Sequence, residues 1–219
     1  MSIKIAPDTR LKGLYVITDE KLIAQQNFTQ SVEFALQGGS RIIQYRDKSG
    51  DQSKRLQQAE VLRSLCSEYR AILIINDDIE LARAVNADGV HLGKDDAAIQ
   101  KARQQLGSDA IIGISCYDSL ELAIEAEKNS ADYVAFGAMF CSPTKPEARN
   151  TSPEIISKAR QQINIPVCAI GGITEKNIQQ LIQQGADMAA VISSLFSASD
   201  IKNAASTLAQ HFHSTHPQR

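Results

Sequence analysis

Cysteine is scarce and unpatterned: Cys66, Cys116, Cys141 and Cys168 stand far apart, and no CxxC pair occurs. That excludes a disulfide framework and a zinc ribbon, and leaves reduced thiols in a cytoplasmic protein as the expectation. Neither sign of charge dominates. Lys plus Arg number 23 and Asp plus Glu number 25, a net charge of −2, so the basic footprint of a nucleic-acid binder is missing. No apolar run approaches the roughly 18 residues of a membrane span, and residues 1–10 lack a basic segment followed by an apolar stretch. The expectation is a soluble, non-exported protein with neither nucleic-acid nor membrane partners. Low-complexity tracts are missing as well, and only residues 213–219 read as a frayed tail.

What is present suffices for one substantial core. The 219 residues are 43% hydrophobic and 22% charged, which suits a single domain spanning 1–219. Short β-branched runs alternate with stretches of helical period. The strand candidates are 14–18, 41–45, 72–76, 89–92, 111–115, 133–136, 167–170 and 188–192. Most are continuously apolar, as parallel strands covered on both faces should be. Helical patterns follow at 29–37, 53–69, 79–85, 95–106, 119–129, 153–162, 176–184 and 201–211. Strand then helix, eight times over, predicts an α/β protein, a single-domain (β/α)8 TIM barrel.

An internal repeat agrees. Gln37-Gly38-Gly39-Ser40, Val85-Asn86-Ala87-Asp88, Asn129-Ser130-Ala131-Asp132 and Gln184-Gly185-Ala186-Asp187 each close a helix before a strand. From Gly39 to Ala87 is 48 residues, from Ala87 to Ala131 is 44, and from Ala131 to Ala186 is 55, or two βα units each. The longest gap contains the loop 137–152, which reads as an insertion after the sixth strand. A doubly wound sheet is the alternative, but the first strand ends in Thr18-Asp19-Glu20, and neither GxGxxG nor GxxxxGK[ST] occurs.

Barrel enzymes build their sites at the C-terminal ends of the strands. Gln44, Arg46 and Lys48 alternate along one extended segment, so they share a side and suit a multiply charged anion such as diphosphate. A solvated strand end with ion pairs to Asp47 or Asp51 is the plainer reading of the same residues. Asn76, Asp77 and Asp96 add oxygen ligands. Few carboxylates, no thiolate and one nearby histidine favour Mg2+ over Zn2+. Asp78 and Asp95 read as helix N-caps. Ala169-Ile170-Gly171-Gly172-Ile173, with Ile192-Ser193-Ser194 after the last strand, matches the phosphate cradle of this fold. Two phosphate sites are therefore expected. Ser115, Cys116 and Cys141 have no base placed beside them, and His91 inside an apolar strand reads as structural.

At these residues the sequence closely resembles the thiamine phosphate synthase family. The matching stretches are Gln44-Tyr45-Arg46-Asp47-Lys48, Ile75-Asn76-Asp77-Asp78, Gly89-Val90-His91-Leu92-Gly93-Lys94-Asp95-Asp96, Gly113-Ile114-Ser115, Ser142-Pro143-Thr144-Lys145 and Ile170-Gly171-Gly172-Ile173-Thr174, in order along nearly the whole chain. The resemblance implies a transferase of thiamine biosynthesis. It would join 4-amino-2-methyl-5-(diphosphooxymethyl)pyrimidine to 4-methyl-5-(2-phosphoethyl)thiazole, giving thiamine phosphate and pyrophosphate.

It also implies site roles. Gln44, Arg46, Lys48, Asn76, Ser115 and Lys145, grouped with Tyr45 and Asp47, would hold the pyrimidine diphosphate. Asp77 and Asp96 would ligate Mg2+. Ser142, Pro143, Thr144, Gly172, Ile192 and Ser193 would hold the thiazole phosphate. Arg46, Lys48, Lys145 and Ser115 would act on the reacting groups, with Lys145 on a lid, 141–152. Three positions depart from the family's usual residues: Cys141 for proline, Ser142 for threonine, and Lys94 for glutamine. A thiazole tautomerase-like barrel is one rival, and retention of the diphosphate set argues against it. A non-catalytic phosphate-binding barrel is the other. The oligomeric state is open, and a homo-oligomer is compatible with everything above.

Overall fold

The computed structural model describes residues 8–93, 96–141 and 151–213, without the side chains of Asp96 and Ala97. Eight parallel strands close into a barrel in chain order: β1 Gly13–Ile17, β2 Ile42–Tyr45, β3 Ile72–Asn76, β4 Gly89–Leu92, β5 Ile111–Tyr117, β6 Tyr133–Phe136, β7 Val167–Ile170 and β8 Met188–Val191. The helices between them are α1 Phe28–Gln37, α2 Gln52–Glu68, α3 Ile79–Ala84, α4 Asp96–Leu106, α5 Leu120–Lys128, α6 Glu154–Arg160 and α7 Ile178–Gln183. A short α8, Ser193–Phe196, precedes the closing α9, Ile201–His213. The (β/α)8 expectation is met. Two pieces went unread in the sequence, α8 and a 3-10 turn at Gln25–Asn27, because each is shorter than one hydrophobic period. Among the described residues, no helix is long and apolar enough to cross a membrane.

Period-two alternation divides the core in two. Tyr15, Ile42, Ile74, Tyr133, Cys168 and Met188 pack inside the barrel, while Leu14, Ile43, Ile75, Val134 and Val167 face the helices. Strands buried on both faces explain the continuous apolar runs. Cys66, Cys116 and Cys168 lie buried within these layers, and burial pushes the Cys66 and Cys116 thiols up to about 12. Cys116, protonated at neutral pH, fits the expectation of a small buried residue rather than a nucleophile, whereas Cys141, expected to be buried as well, is exposed.

The internal repeat acquires a mechanism. After five helices, the chain turns through a left-handed residue, Gly39, Arg70, Asn86, Ser130 or Gly185. The next N–H reaches back to the helix, as from Ala87 to Ala82, Ala131 to Ala126 and Ala186 to Leu181. By this criterion Ser40, bonded to Ala35, matches Ala87, so Arg41 rather than Ser40 stands where Asp88, Asp132 and Asp187 stand. The first junction is thus shifted one residue from its expected alignment.

Each of those aspartates joins two elements. Asp88, Asp132 and Asp187 accept from the backbone N–H of Leu73, Ile112 and Val167 on the neighbouring strand, at 2.7, 2.7 and 2.8 Å. Each is also paired to an arginine, Arg63, Arg103 or Arg160, from the helix packed over that strand. Removing the carboxylate leaves a strand N–H and a guanidinium short of a partner at the barrel's N-terminal end. Asp132→Ala is therefore expected to destabilise by about 2 kcal/mol, discounted for partial exposure. A fall in the urea midpoint at constant m checks this, and an unchanged midpoint contradicts it.

Candidate active site

The inward positions at the C-terminal ends of the strands carry polar groups where the lower layers carry apolar ones. Gln44 on β2, Asn76 on β3, His91 on β4 and Ser115 on β5 follow Ile42, Ile74, Gly89 and Gly113 at a spacing of two. Asn76 Nδ2 and Lys48 Nζ both donate to Asp77 Oδ2, at 2.7 and 2.8 Å. Asp77 itself sits in the left-handed region at φ 61, with its side chain about half exposed. An aspartate tolerates that backbone better than most residues, and such strain gathers at functional sites.

Arg46 is held by the segment after β1. Its N–H donates to Thr18 Oγ1 at 2.9 Å, the Thr18 hydroxyl donates back to its carbonyl at 3.1 Å, and its guanidinium lies 3.7 Å from Asp19 Oδ2. Asp19 is fixed in turn by the backbone N–H groups of Lys21 and Leu22. Thr18 and Asp19 were missed as site residues. Their position just past the first strand was the available signal.

Tyr45 and Asp47 line one pocket with Arg46, Thr18 and Lys54, and each also reaches α2. Tyr45 is buried against Phe28, and its hydroxyl donates to Gln58 on α2 at 3.0 Å. Asp47 pairs with Lys54 on α2 at 2.6 Å and accepts from the Ser49 N–H. Burial opposes its charge, yet the hydrogen bonds from Lys54 and Ser49 outweigh it and hold its carboxyl below the usual range. Both side chains join β2 to α2.

Beneath the mouth runs a buried chain of hydrogen bonds. Gln44 Nε2 donates to Tyr15 Oη at 2.7 Å, Tyr15 Oη lies 2.8 Å from Tyr133 Oη, Tyr133 Oη 2.9 Å from His91 Nδ1, and His91 Nε2 2.9 Å from Ser115 Oγ. The His91 ring stacks on Tyr133 with centroids 5.6 Å apart. His91 is satisfied, as expected of a histidine in an apolar strand, but one of its partners is a rim residue.

Burial pushes His91 down to about 4, against a weaker upward pull from the Asp77 charge. The unfolded chain, with an ordinary value of 6.5, therefore binds more protons between those limits. This contribution to stability is complete above pH 6.5 and is lost as pH falls towards 4, on the order of 3 kcal/mol over the interval. Unfolding the metal-free protein across that range should show the slope, and His91→Asn should flatten it. Equal slopes would contradict the assignment.

Across the mouth, Gly171 and Gly172 end β7 with φ of 105 and 61. A Cβ on Gly172 would fall on the carbonyls of Phe140 and Cys141, so only glycine lets these two turns meet. Phe140 N–H donates to Gly171 O at 3.0 Å and Thr151 N–H to Ala138 O at 2.7 Å. Both described ends of the loop after β6 thus lie beside the ends of β6 and β7. Ile192, partly buried over the barrel interior, leads into α8, whose first residues are Ser193 and Ser194. Loops after β7 and β8 with a short extra helix form the usual phosphate cradle of this fold.

Ser142, Pro143, Thr144 and Lys145, like Asp95, lie outside the described residues, as does the Asp96 side chain, although Asp96 begins α4. Asp78 is the cap expected of it, accepting from Leu81 N–H at 2.9 Å, and it also pairs with Arg55 at 2.7 Å.

The fold is a (β/α)8 barrel with charged and polar side chains gathered at the C-terminal ends of its strands. Residues 14–195 match the family model described as thiamine monophosphate synthase. The chain is 50% identical over 202 residues to a thiamine-phosphate synthase of Nitrosococcus oceani, covering 92% of this chain and 93% of that one. It is 48% identical over 207 residues to the Marinobacter nauticus protein of the same name, covering 94% and 93%. The solved thiamine phosphate pyrophosphorylase of Pyrococcus furiosus superposes with a TM-score of 0.85 at 38% identity, covering 94% of this chain and 98% of that one. The chain belongs to the thiamine monophosphate synthase family.

Proposed function

We propose that this single-domain barrel joins the pyrimidine diphosphate to the thiazole phosphate in the cytoplasm, forming thiamine phosphate and releasing pyrophosphate. The bond from the methylene carbon to diphosphate oxygen breaks first, the electron pair leaving with diphosphate, and the thiazole nitrogen then adds its lone pair to the cationic carbon in a dissociative substitution. The nucleophile carries no proton, so no general base is needed. The leaving group sets the barrier, and the pyrimidine 4-amino group can stabilise the benzyl-like cation left behind.

One observation supports this reading above others: at the described mouth Lys48, Asn76 and Asp77 are joined by hydrogen bonds and Arg46 follows β2 beside Asp19, while both nitrogens of His91 are already engaged. Such a rim is rich in charge to neutralise a departing anion and poor in spare bases. A thiazole tautomerase would require the reverse.

In this reading Arg46 and Lys48 bind and orient the diphosphate, Ser115 and Gln44 serve the same substrate, and Lys145 closes over it to exclude water that would trap the cation. Gly172, Ile192 and Ser193, with Ser142, Pro143 and Thr144, hold the thiazole phosphate. The half-exposed carboxylate of Asp77 fits a hard cation, since Mg2+ is commonly held by one or two carboxylates plus substrate phosphates. Asp77 and Asp96 would hold it. Mg2+ would supply positive charge to the leaving diphosphate when bound.

Purified protein given both substrates should release pyrophosphate in step with thiamine phosphate, and should stop when Mg2+ is chelated. Isomerisation of a thiazole phosphate without pyrophosphate would favour the tautomerase. Phosphate binding without turnover would favour the non-catalytic barrel.

A further inference from the structure

A hydroxyl beside a diphosphate helps only as a donor, yet a serine hydroxyl serves equally as donor or acceptor and rotates between the two. The buried chain beneath the mouth removes that freedom. Gln44 enters it through Nε2, an atom that carries protons and accepts none. The Tyr15 oxygen accepts from Gln44, so its single proton goes to Tyr133 Oη. Tyr133 passes its own proton to His91 Nδ1. A neutral imidazole that accepts at Nδ1 carries its proton on Nε2, and that proton points at Ser115 Oγ. Ser115 cannot then direct its hydroxyl back at His91, where two protons would collide.

We infer that the Gln44–Tyr15–Tyr133–His91 chain is a polarity lock that fixes Ser115 as a hydrogen-bond donor towards the mouth. Tyr15, Tyr133 and His91 are positioning residues for the anionic leaving group. The inference deepens the synthase reading and rests on it in one respect, that Ser115 faces the diphosphate. Donation from His91 into the Ser115 oxygen also polarises its O–H, so the lock strengthens the donor that it orients. Burial makes the order worth keeping, since an orphaned hydroxyl here has no water to turn to.

The opposite order has a definite signature. With the Gln44 amide turned end for end, every proton in the chain would reverse, His91 would carry its proton on Nδ1, and Ser115 would show lone pairs to an anion. Two-bond 1H–15N correlation spectra of the wild-type protein distinguish the two. A pyrrole-like Nε2 and a pyridine-like Nδ1 are expected, and the reverse assignment overturns the lock.

This measurement needs no turnover. Absence of pyrophosphate release would therefore refute the synthase reading separately. The functional arm is a double-mutant cycle. Tyr133→Phe keeps the ring and should reduce kcat/KM about tenfold, roughly the worth of one hydrogen bond, and Tyr15→Phe should do the same. In a Ser115→Ala background neither should cost anything further. Losses that simply add to that of Ser115→Ala would show that the tyrosines act by another route and would overturn the proposal.

Discussion

Arg46→Ala is expected to lower kcat/KM for pyrophosphate release by roughly a hundredfold or more, the usual cost of removing one fixed donor aimed at developing charge. Arg46 is anchored by Thr18 through two backbone hydrogen bonds and lies beside the buried Asp19, so its guanidinium is placed before substrate arrives. Such placement removes reorganisation at the moment the bond to diphosphate breaks. Arg46→Lys should recover only part of the loss, because an ammonium supplies charge without the two-pronged geometry. Circular dichroism and the urea midpoint should stay near wild type, since the side chain lies at the rim. Turnover within a few-fold of wild type in Arg46→Ala would show that the leaving group is neutralised elsewhere.

Gly113→Ala should produce the largest loss of stability from the smallest change. Gly113 pairs with Tyr133 across β5 and β6, and a Cβ there would fall on the Tyr133 ring and its hydroxyl. The ring cannot yield cheaply. Its oxygen is shared between Tyr15 and His91, and its face stacks on His91 inside a closed barrel. Overpacking contributes about 1–3 kcal/mol, and a hydrogen bond left unmade in the core adds about 1–3 kcal/mol more. The expected total is about 4 kcal/mol, a large part of the 5–15 kcal/mol typical of a domain. Gly93→Ala is the control, because among the described residues nothing lies within 4 Å of a Cβ built there. The urea midpoints of the two variants decide the matter. A Gly113→Ala variant less than about 1 kcal/mol below Gly93→Ala would show that the Tyr133 ring yields cheaply.

The strands were legible because both faces of each are buried, which makes them uninterrupted apolar runs with turn residues at their ends. Their positions gave the rim: Gln44, Arg46, Asn76 and Ser115 stand at the C-terminal ends where the barrel rule points. Tyr15 and Tyr133 were not legible as site residues. A tyrosine in an apolar strand looks the same whether its hydroxyl meets water, a helix or another tyrosine across the barrel, and Tyr45 is the case that faces a helix. His91 was read as structural and is satisfied, but the sequence could not reveal that Ser115 is its second partner. The first repeat junction is shifted by one residue because Gly38 and Gly39 both look like the helix stop in sequence, and the backbone shows that Gly39 is the left-handed one, with Ser40 N–H bonded to Ala35.

Two phosphorylated groups should meet on one rim, and a crystal structure of the protein with thiamine phosphate and pyrophosphate bound decides whether they do. Pyrophosphate should lie against Arg46, Lys48 and Ser115 beside Asp77, with the phosphate of thiamine phosphate on the Gly172 and Ser193 turns. Phosphates bound at the N-terminal end of the barrel, or both anions on the β7 and β8 turns with Arg46 and Lys48 left bare, would contradict it.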